Sequence, residues 1–193
     1  MRVLVLYAHP VETSYQAALH RVVVETLAAG GHEVDDCDLY AEGFDPRLSR
    51  AERLAYHDPA PDRRGVQPYI DRLLAAEALV LVFPVWNMGY PAILKGFFDR
   101  VFLPGVSFRI AEGRVVTILD NIRRSAAVVT YGATRLRAWL AGDLARTAVT
   151  RVLRAQTLGA PQSYLAHYDM NRSSDATRAR FLARVRREME RFP

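Results

Sequence analysis

Three short segments hold side chains able to grip a flat, phosphorylated ligand. His9, Ser14 and Gln16 offer imidazole, hydroxyl and amide groups around the start of a helix. Free backbone N–H groups and the helix dipole favour an anion there. Trp86, Asn87, Met88 and Tyr90 place an aromatic wall beside backbone amides, the mixture a planar aromatic cofactor needs. Tyr131 and Gly132 add a hydroxyl and a residue that lets backbone approach a ligand closely. Tyr131 is the expected hydroxyl donor beside the ring. Each group also has a plain role: Ser14 as a helix cap, His9 as a satisfied structural histidine, Trp86 and Met88 in core or interface, Tyr131 in packing.

Hydrophobic periodicity dictates the elements that carry these segments. Arg2 to Ala8 is short, β-branched and nearly all apolar, as suits a strand buried on both faces. A helix follows from Tyr15 to Gly30. His32 to Leu39 is weakly apolar, as an edge strand would be. Residues 40–66 form a surface excursion with a short helix near Arg50 to His57. Gln67 to Ala76 reads as a helix, then Ala78 to Phe83 as the strongest strand, stopping at Pro84. The next helix runs from Pro91 to Phe102. Residues 103–122 make a loop with a hairpin around Glu112-Gly113.

Ala126 to Thr130 is a fourth strand. The spacing then predicts one long helix from Leu136 to Leu153, with Leu136, Trp139, Leu140, Leu144, Ala148, Val152 and Leu153 inward. Ser163 to Tyr168 is a fifth strand. Ser173 or Ser174 caps the last helix, whose inward stripe is Phe181, Leu182, Val185, Met189 and Phe192. Alternating strands and helices predict one α/β domain over residues 1–193: a five-stranded parallel sheet of order 2-1-3-4-5 with helices on both faces. Ligands bind beyond the carboxyl ends of such strands where the order reverses. The three segments fall there and form one crevice.

Composition narrows the chemistry. The 193 residues include one cysteine, Cys37, which excludes an internal disulfide and any multi-thiolate metal site. No apolar run is long enough to span a membrane, and the N-terminal apolar run is too short for a signal peptide. A soluble cytoplasmic protein is expected. Residues 1–122 hold 12 basic and 16 acidic side chains, net −4, and residues 123–193 hold 14 and 5, net +9. The arginines fall on polar helix faces, and no zinc spacing, basic heptad or RNA-binding signature accompanies them, so nucleic acid is not an expected partner. No G-x-G-x-x-G follows the first strand, and Lys95, the single lysine, has no phosphate loop before it. There is no G-x-S-x-G elbow. A phospho-acceptor receiver would need acids where His9 and Pro84 stand. His20, His32, His57 and His167 are scattered, so no metal is expected.

Tyr7-Ala8-His9-Pro10 with Ser14-Tyr15-Gln16-Ala17-Ala18-Leu19, then Asp38-Leu39-Tyr40 and Gly43-Phe44-Asp45-Pro46, resembles the flavodoxin-like NAD(P)H quinone oxidoreductase family. The segment from Phe83 to Phe102 carries the longest match, and Thr130-Tyr131-Gly132 a looser one. The resemblance implies FMN or FAD as cofactor, NAD(P)H as co-substrate, a two-step hydride relay to a quinone-like acceptor, and a homodimer. It implies flavin-phosphate contacts at His9, Ser14, Tyr15 and Gln16. It implies ring contacts at Pro84, Val85, Trp86, Asn87 and Met88, further contacts at Thr130, Tyr131 and Gly132, and a flavin-side glutamine at Gln67. Asn87 and Pro104-Gly105-Val106-Ser107-Phe108-Arg109 also resemble the FMN-dependent azoreductase branch. The family's Tyr/His pair has no match after Gly132, which leaves the proton donor open.

Two further expectations follow. Phe97, Phe98 and Phe102 exceed what one helix face buries, and with Trp139 they would pack across a two-fold axis. Arg109, Arg135 and Arg137 near the site lean toward NADPH. A rival reading is a flavin-binding regulatory subunit whose basic C-terminal third docks an acidic partner.

Overall fold

A computed structural model describes residues 1–58, 62–63 and 65–192. Five parallel strands form the main sheet: β1 (Arg2–Tyr7), β2 (Glu33–Asp38), β3 (Ala78–Val85), β6 (Arg124–Tyr131) and β7 (Gln162–His167). Their order is β2-β1-β3-β6-β7, the expected 2-1-3-4-5. A separate antiparallel hairpin pairs β4 (Phe108–Ala111) with β5 (Arg114–Thr117). It turns at Glu112 and Gly113, both at positive φ, as a two-residue hairpin loop requires.

Strand parity sorts the core. Leu4, Leu6, Leu79, Leu81, Phe83, Ala127, Val129 and Tyr131 point to one face. There they meet α3 (Gln67–Ala75), α4 (Ala92–Val101) and the segment after β6. Val3, Val5, Tyr7, Val80, Val82, Ala126 and Val128 point to the other. There α1 (Tyr15–Ala29) packs with α8 (Asp175–Glu190) through Leu19, Val23, Leu27, Phe181, Val185 and Met189. Val3 to Leu6 and Val80, Val82 and Phe83 are fully buried, which explains their unbroken apolar runs. β2, with Cys37 its one buried residue, is the edge.

Caps set the helix ends. Ser14 Oγ accepts the Ala17 N–H at 3.1 Å to start α1, and Ser174 starts α8 with a reciprocal Thr177 contact. The helix α2 (Arg50–Leu54) begins with the Ser49–Glu52 capping box. The segment before it is pressed onto α4: a Cβ at Gly96 would lie 2.3 Å from the Pro46 carbonyl oxygen, so glycine is required. Buried Arg100 adds a bond from Nε to Glu52 Oε1 at 3.0 Å.

Three expectations are corrected. β3 does not stop at Pro84. Pro84 pairs with Thr130 and Val85 with Tyr131, a proline at a strand end being tolerable. The long helix from Leu136 to Leu153 is broken. α5 (Arg135–Leu140) ends at Gly142 and Asp143, both at positive φ. α6 (Leu144–Thr147) then leads through a π-helical stretch, Ala148–Leu153, into α7 (Arg154–Gln156). The break turns Ala138, Ala145, Val149 and Leu153 inward and leaves Leu136, Trp139, Leu140, Leu144 and Val152 exposed. Phe97 and Phe102 are buried in their own chain, so they are not spare surface for a two-fold contact.

Candidate cofactor site

Register brings the three segments together. Tyr7 of β1 lies beside Val82 of β3, and Val85 of β3 beside Tyr131 of β6, so the loops after all three strands leave one edge of the sheet. The loop after β3 is a tight hairpin. Trp86 N–H donates to the Gly89 carbonyl at 3.0 Å, and Gly89 N–H to the Trp86 carbonyl at 2.9 Å. Between them Asn87 and Met88 both adopt left-handed backbone, φ 48 and 62. Asn tolerates this, whereas a long side chain there costs about 1 kcal/mol. Strain of that kind persists where the surroundings over-determine a functional turn. The turn projects Trp86, 42% exposed, and leaves the Asn87 and Met88 amides outside the reciprocal pair.

His9 meets this turn from the loop after β1, its ring centroid 5.6 Å from that of Trp86. His9 Nδ1 accepts the Val11 N–H at 3.0 Å, which leaves the proton on Nε2. Burial pulls its pKa below the usual imidazole value. It is therefore a neutral donor at pH 7. A cavity of about 500 Å³ opens beside it, between the loops after β1 and β2, lined by His9, Glu12, His20, Asp38 and Tyr40. His20 stacks on Tyr7 at 4.1 Å and meets Asp36 at 2.7 Å. A second cavity of about 490 Å³ lies between α4 and residues 148–156, with Leu81 and Phe83 as its floor and Tyr90 on its wall.

Several expected ligand contacts are already committed inside the protein. Gln16 is buried; its Nε2 donates to the Val128 carbonyl at 3.1 Å and its Oε1 accepts the Thr130 hydroxyl at 2.8 Å. The two side chains satisfy each other, so neither reaches the crevice. Tyr15 donates to the Arg178 carbonyl at 2.8 Å, and burial pushes its pKa up to about 12. Ser14 caps α1. Gln67 donates to Asp71 of its own helix at 2.7 Å.

Tyr131 is the main correction. Its side chain is 1% exposed and points into the α4 face of the core. The hydroxyl donates to Asp143 Oδ1 at 2.6 Å and lies 2.5 Å from the Tyr164 hydroxyl. It is not a donor beside the crevice. Gly132 has ordinary φ, and a Cβ there would stand 3.6 Å from Asn171 Nδ2. Its value is an open surface rather than steric need.

The loop after β7 was missed in the sequence. Asp169 N–H donates to the Ala133 carbonyl at 2.9 Å, Tyr168 stacks on Tyr131 at 4.5 Å, and Asn171 faces Gly132. The rule that ligands sit at carboxyl strand ends includes this loop once β7 is placed beside β6. What remains to hold a flat cofactor is the Trp86–Gly89 turn, the face of Gly132, His9, and the α1 N-terminus. That donor set fits a flavin: an aromatic wall, amides for a polar edge, and neutral or dipolar donors for a phosphate. No group of three or more potential metal ligands occurs among the described residues, and no helix among them is long and apolar enough to cross a membrane.

Comparison with known proteins agrees with this fold. Residues 1–185 match the family model described as flavodoxin-like fold. An uncharacterized NAD(P)H oxidoreductase of Haemophilus influenzae is 34% identical over 134 residues, 68% of this chain and 65% of that protein. Rat NAD(P)H dehydrogenase (quinone) 1 is 34% identical over 150 residues, 68% of this chain and 54% of that protein. The chain thus spans between about half and two-thirds of the length of these curated relatives. The NAD(P)H:quinone oxidoreductase from Methanothermobacter marburgensis superposes with TM-score 0.82 at 27% identity, over 100% of this chain and 99% of that one. The family match and the strand order agree: the chain belongs to the flavodoxin-like fold family.

Proposed function

We propose that this protein is a flavin-dependent NAD(P)H oxidoreductase that passes two electrons to a quinone or similar planar acceptor. The strained Trp86–Gly89 turn, facing His9 at the β1/β3 edge, is the observation that carries this reading. The names and structures of the relatives above support it. When bound, the flavin, FMN or FAD, supplies the hydride chemistry, taking hydride from NAD(P)H and giving it to the acceptor.

The chain supplies binding and electrostatics. Trp86 walls the ring, with Pro84 and Val85 behind it at the end of β3. The amides of the Asn87–Met88 turn steady negative charge at its polar edge. His9, donating from Nε2, and the first turn of α1 hold the phosphate. Arg135 and Arg137 are exposed on α5 beside the β6 turn and favour the extra phosphate of NADPH. The crevice beside Trp86 and His9 would admit NAD(P)H and the acceptor in turn, a ping-pong order. The buried single cysteine suits a reducing compartment, and we place the enzyme in the cytoplasm.

A homodimer belongs to this reading. Its support is the exposed apolar strip Leu136, Trp139, Leu140 and Leu144 directly after the β6 turn, a patch of the kind that marks an interface. The regulatory alternative draws on Arg180, Arg184, Arg186, Arg187 and Arg191, all exposed on or just after α8, where an acidic partner would dock.

An anaerobic NADPH titration of flavin-loaded protein, followed by a quinone, decides between them. Bleaching of the flavin and recovery on quinone addition supports the oxidoreductase. A flavin that binds and stays oxidised gives the lead to the regulatory reading, and failure to bind flavin rejects the site.

A further inference from the structure

The end of β6 is held more firmly than a strand end needs. The hydroxyl of Tyr131 meets Asp143 Oδ1 at 2.6 Å and Tyr164 Oη at 2.5 Å. Proton counting sets the direction of this chain. A carboxylate only accepts, so the single Tyr131 proton goes to Asp143 and Tyr164 donates to Tyr131. Burial raises the pKa of both tyrosines, which keeps them neutral donors. Tyr168 stacks on one face of the Tyr131 ring, and the Arg146 guanidinium lies 4.9 Å over the ring of Tyr164.

Asp143 arrives at Tyr131 through an unfavourable backbone. Gly142 stands at φ 83 and Asp143 at φ 40, and this pair interrupts a helix that the apolar period would have continued. Asp143 N–H closes the break by donating to the Ala138 carbonyl at 2.8 Å, and its own carbonyl accepts the Thr147 N–H at 2.9 Å. Asp and Asn are the side-chain-bearing residues that tolerate such a φ best. Strain here is offset by what the carboxylate then holds.

What it holds is the root of the Thr130–Arg135 turn. Thr130 is tied to Gln16, Ala133 to Asp169, and Tyr131, between them, to Asp143. We propose that Asp143 is a positioning residue: by accepting from Tyr131 it fixes the backbone of residues 130–133 in the shape that meets the flavin. The inference rests on the flavin reading of that turn. The role needs an acceptor oxygen on a residue that tolerates left-handed backbone, and asparagine meets both needs where glycine meets one.

The test compares Asp143→Asn, Asp143→Gly and Tyr131→Phe. Hydrogen exchange of residues 130–135 is read in cofactor-free protein, and flavin affinity and the visible circular dichroism of bound flavin in loaded protein. Asp143→Gly and Tyr131→Phe should speed exchange in that segment. They should also weaken flavin binding about tenfold, the order expected for one lost buried hydrogen bond, and alter the dichroic band. Asp143→Asn should restore all three. Wild-type exchange and affinity in both Asp143→Gly and Tyr131→Phe overturn the proposal. So does an Asp143→Asn protein as impaired as Asp143→Gly, or exchange that quickens across the whole chain. If the wild type binds no flavin, the functional reading fails, and the local exchange result still decides whether Asp143 positions the turn.

Discussion

Gln16 and Thr130, 114 positions apart, satisfy each other's buried side chains at the carboxyl edge of the sheet. The bond joins the first turn of α1 to the penultimate residue of β6, and Gln16 Nε2 adds the Val128 carbonyl at 3.1 Å. Removing one partner leaves the other buried and unpaired. Gln16→Met and Thr130→Val should each cost about 1–3 kcal/mol in urea unfolding. The double substitution should cost less than the sum of the two, because both polar ends are gone. Additive losses would show that the two groups do not act as a pair.

Trp86 stands half out of the fold with His9 across from it. A side chain so placed contributes little to the core and much to a stacked ligand. Trp86→Ala should leave the unfolding midpoint nearly unchanged and weaken flavin binding about tenfold, as one lost aromatic contact predicts. Fluorescence titration with flavin reads this directly. Unaltered affinity would remove Trp86 from the site.

Met88 holds φ 62 with a long side chain. Met88→Gly removes the steric conflict and should raise stability by about 1 kcal/mol, measured as a higher denaturant midpoint with unchanged slope. If the turn is kept in shape for a ligand, the same variant should bind flavin less tightly, because the freed backbone must be ordered on binding. Greater stability with weaker binding is the signature of a strained functional turn.

Much of this architecture was legible in the residues. Val3 to Leu6 and Ala78 to Phe83 announced strands buried on both faces, and the weak Val34, Cys37, Leu39 pattern announced an edge. The site was legible as segments, less so as side chains. Parity alone puts Tyr131 with Ala127 and Val129 on the α4 face and Thr130 on the face of Gln16, although the loop they lead into faces the crevice. The Leu136–Leu153 helix failed for another reason. Its apolar period runs unbroken through Gly142, so periodicity could not separate residues that face the core from those that face outward. The loop after β7 becomes visible only through its contacts with Ala133 and Gly132.

Two imidazoles tie stability to pH. His9 and His167 both have pKa values below the ordinary 6.5, mainly through burial. His167 sits between Tyr15 and Phe181 with Arg178 nearby. A folded-state pKa below the unfolded one means that the unfolded chain binds protons first. The stability contributed by the neutral rings is therefore full above about pH 6.5 and lost as pH falls through the lower folded values. Urea midpoints should drop between pH 7.5 and 5.5, and a His9→Asn, His167→Asn protein should show a flatter profile. An equal drop in that variant would assign the effect to other groups.

The exposed strip on α5 and α6 makes the last prediction. Trp139 is 68% exposed and Leu140 69%, on a segment whose own core contacts run through Ala138, Ala145 and Val149. Large apolar side chains left outside by a broken helix, rather than by a missing core position, point to a second surface that covers them. Phe97 and Phe102 are buried in their own chain, so the strip and not those rings is the surface this prediction tests. Sedimentation of the wild type should give twice the chain mass of 21.7 kDa, and Trp139→Glu with Leu140→Glu should give the single mass with the fold retained by circular dichroism. Because the strip begins four residues past Gly132, loss of the dimer should also weaken acceptor binding more than flavin binding. A wild type that sediments as a monomer, or a dimer untouched by the two glutamates, would place the contact elsewhere or nowhere on this chain.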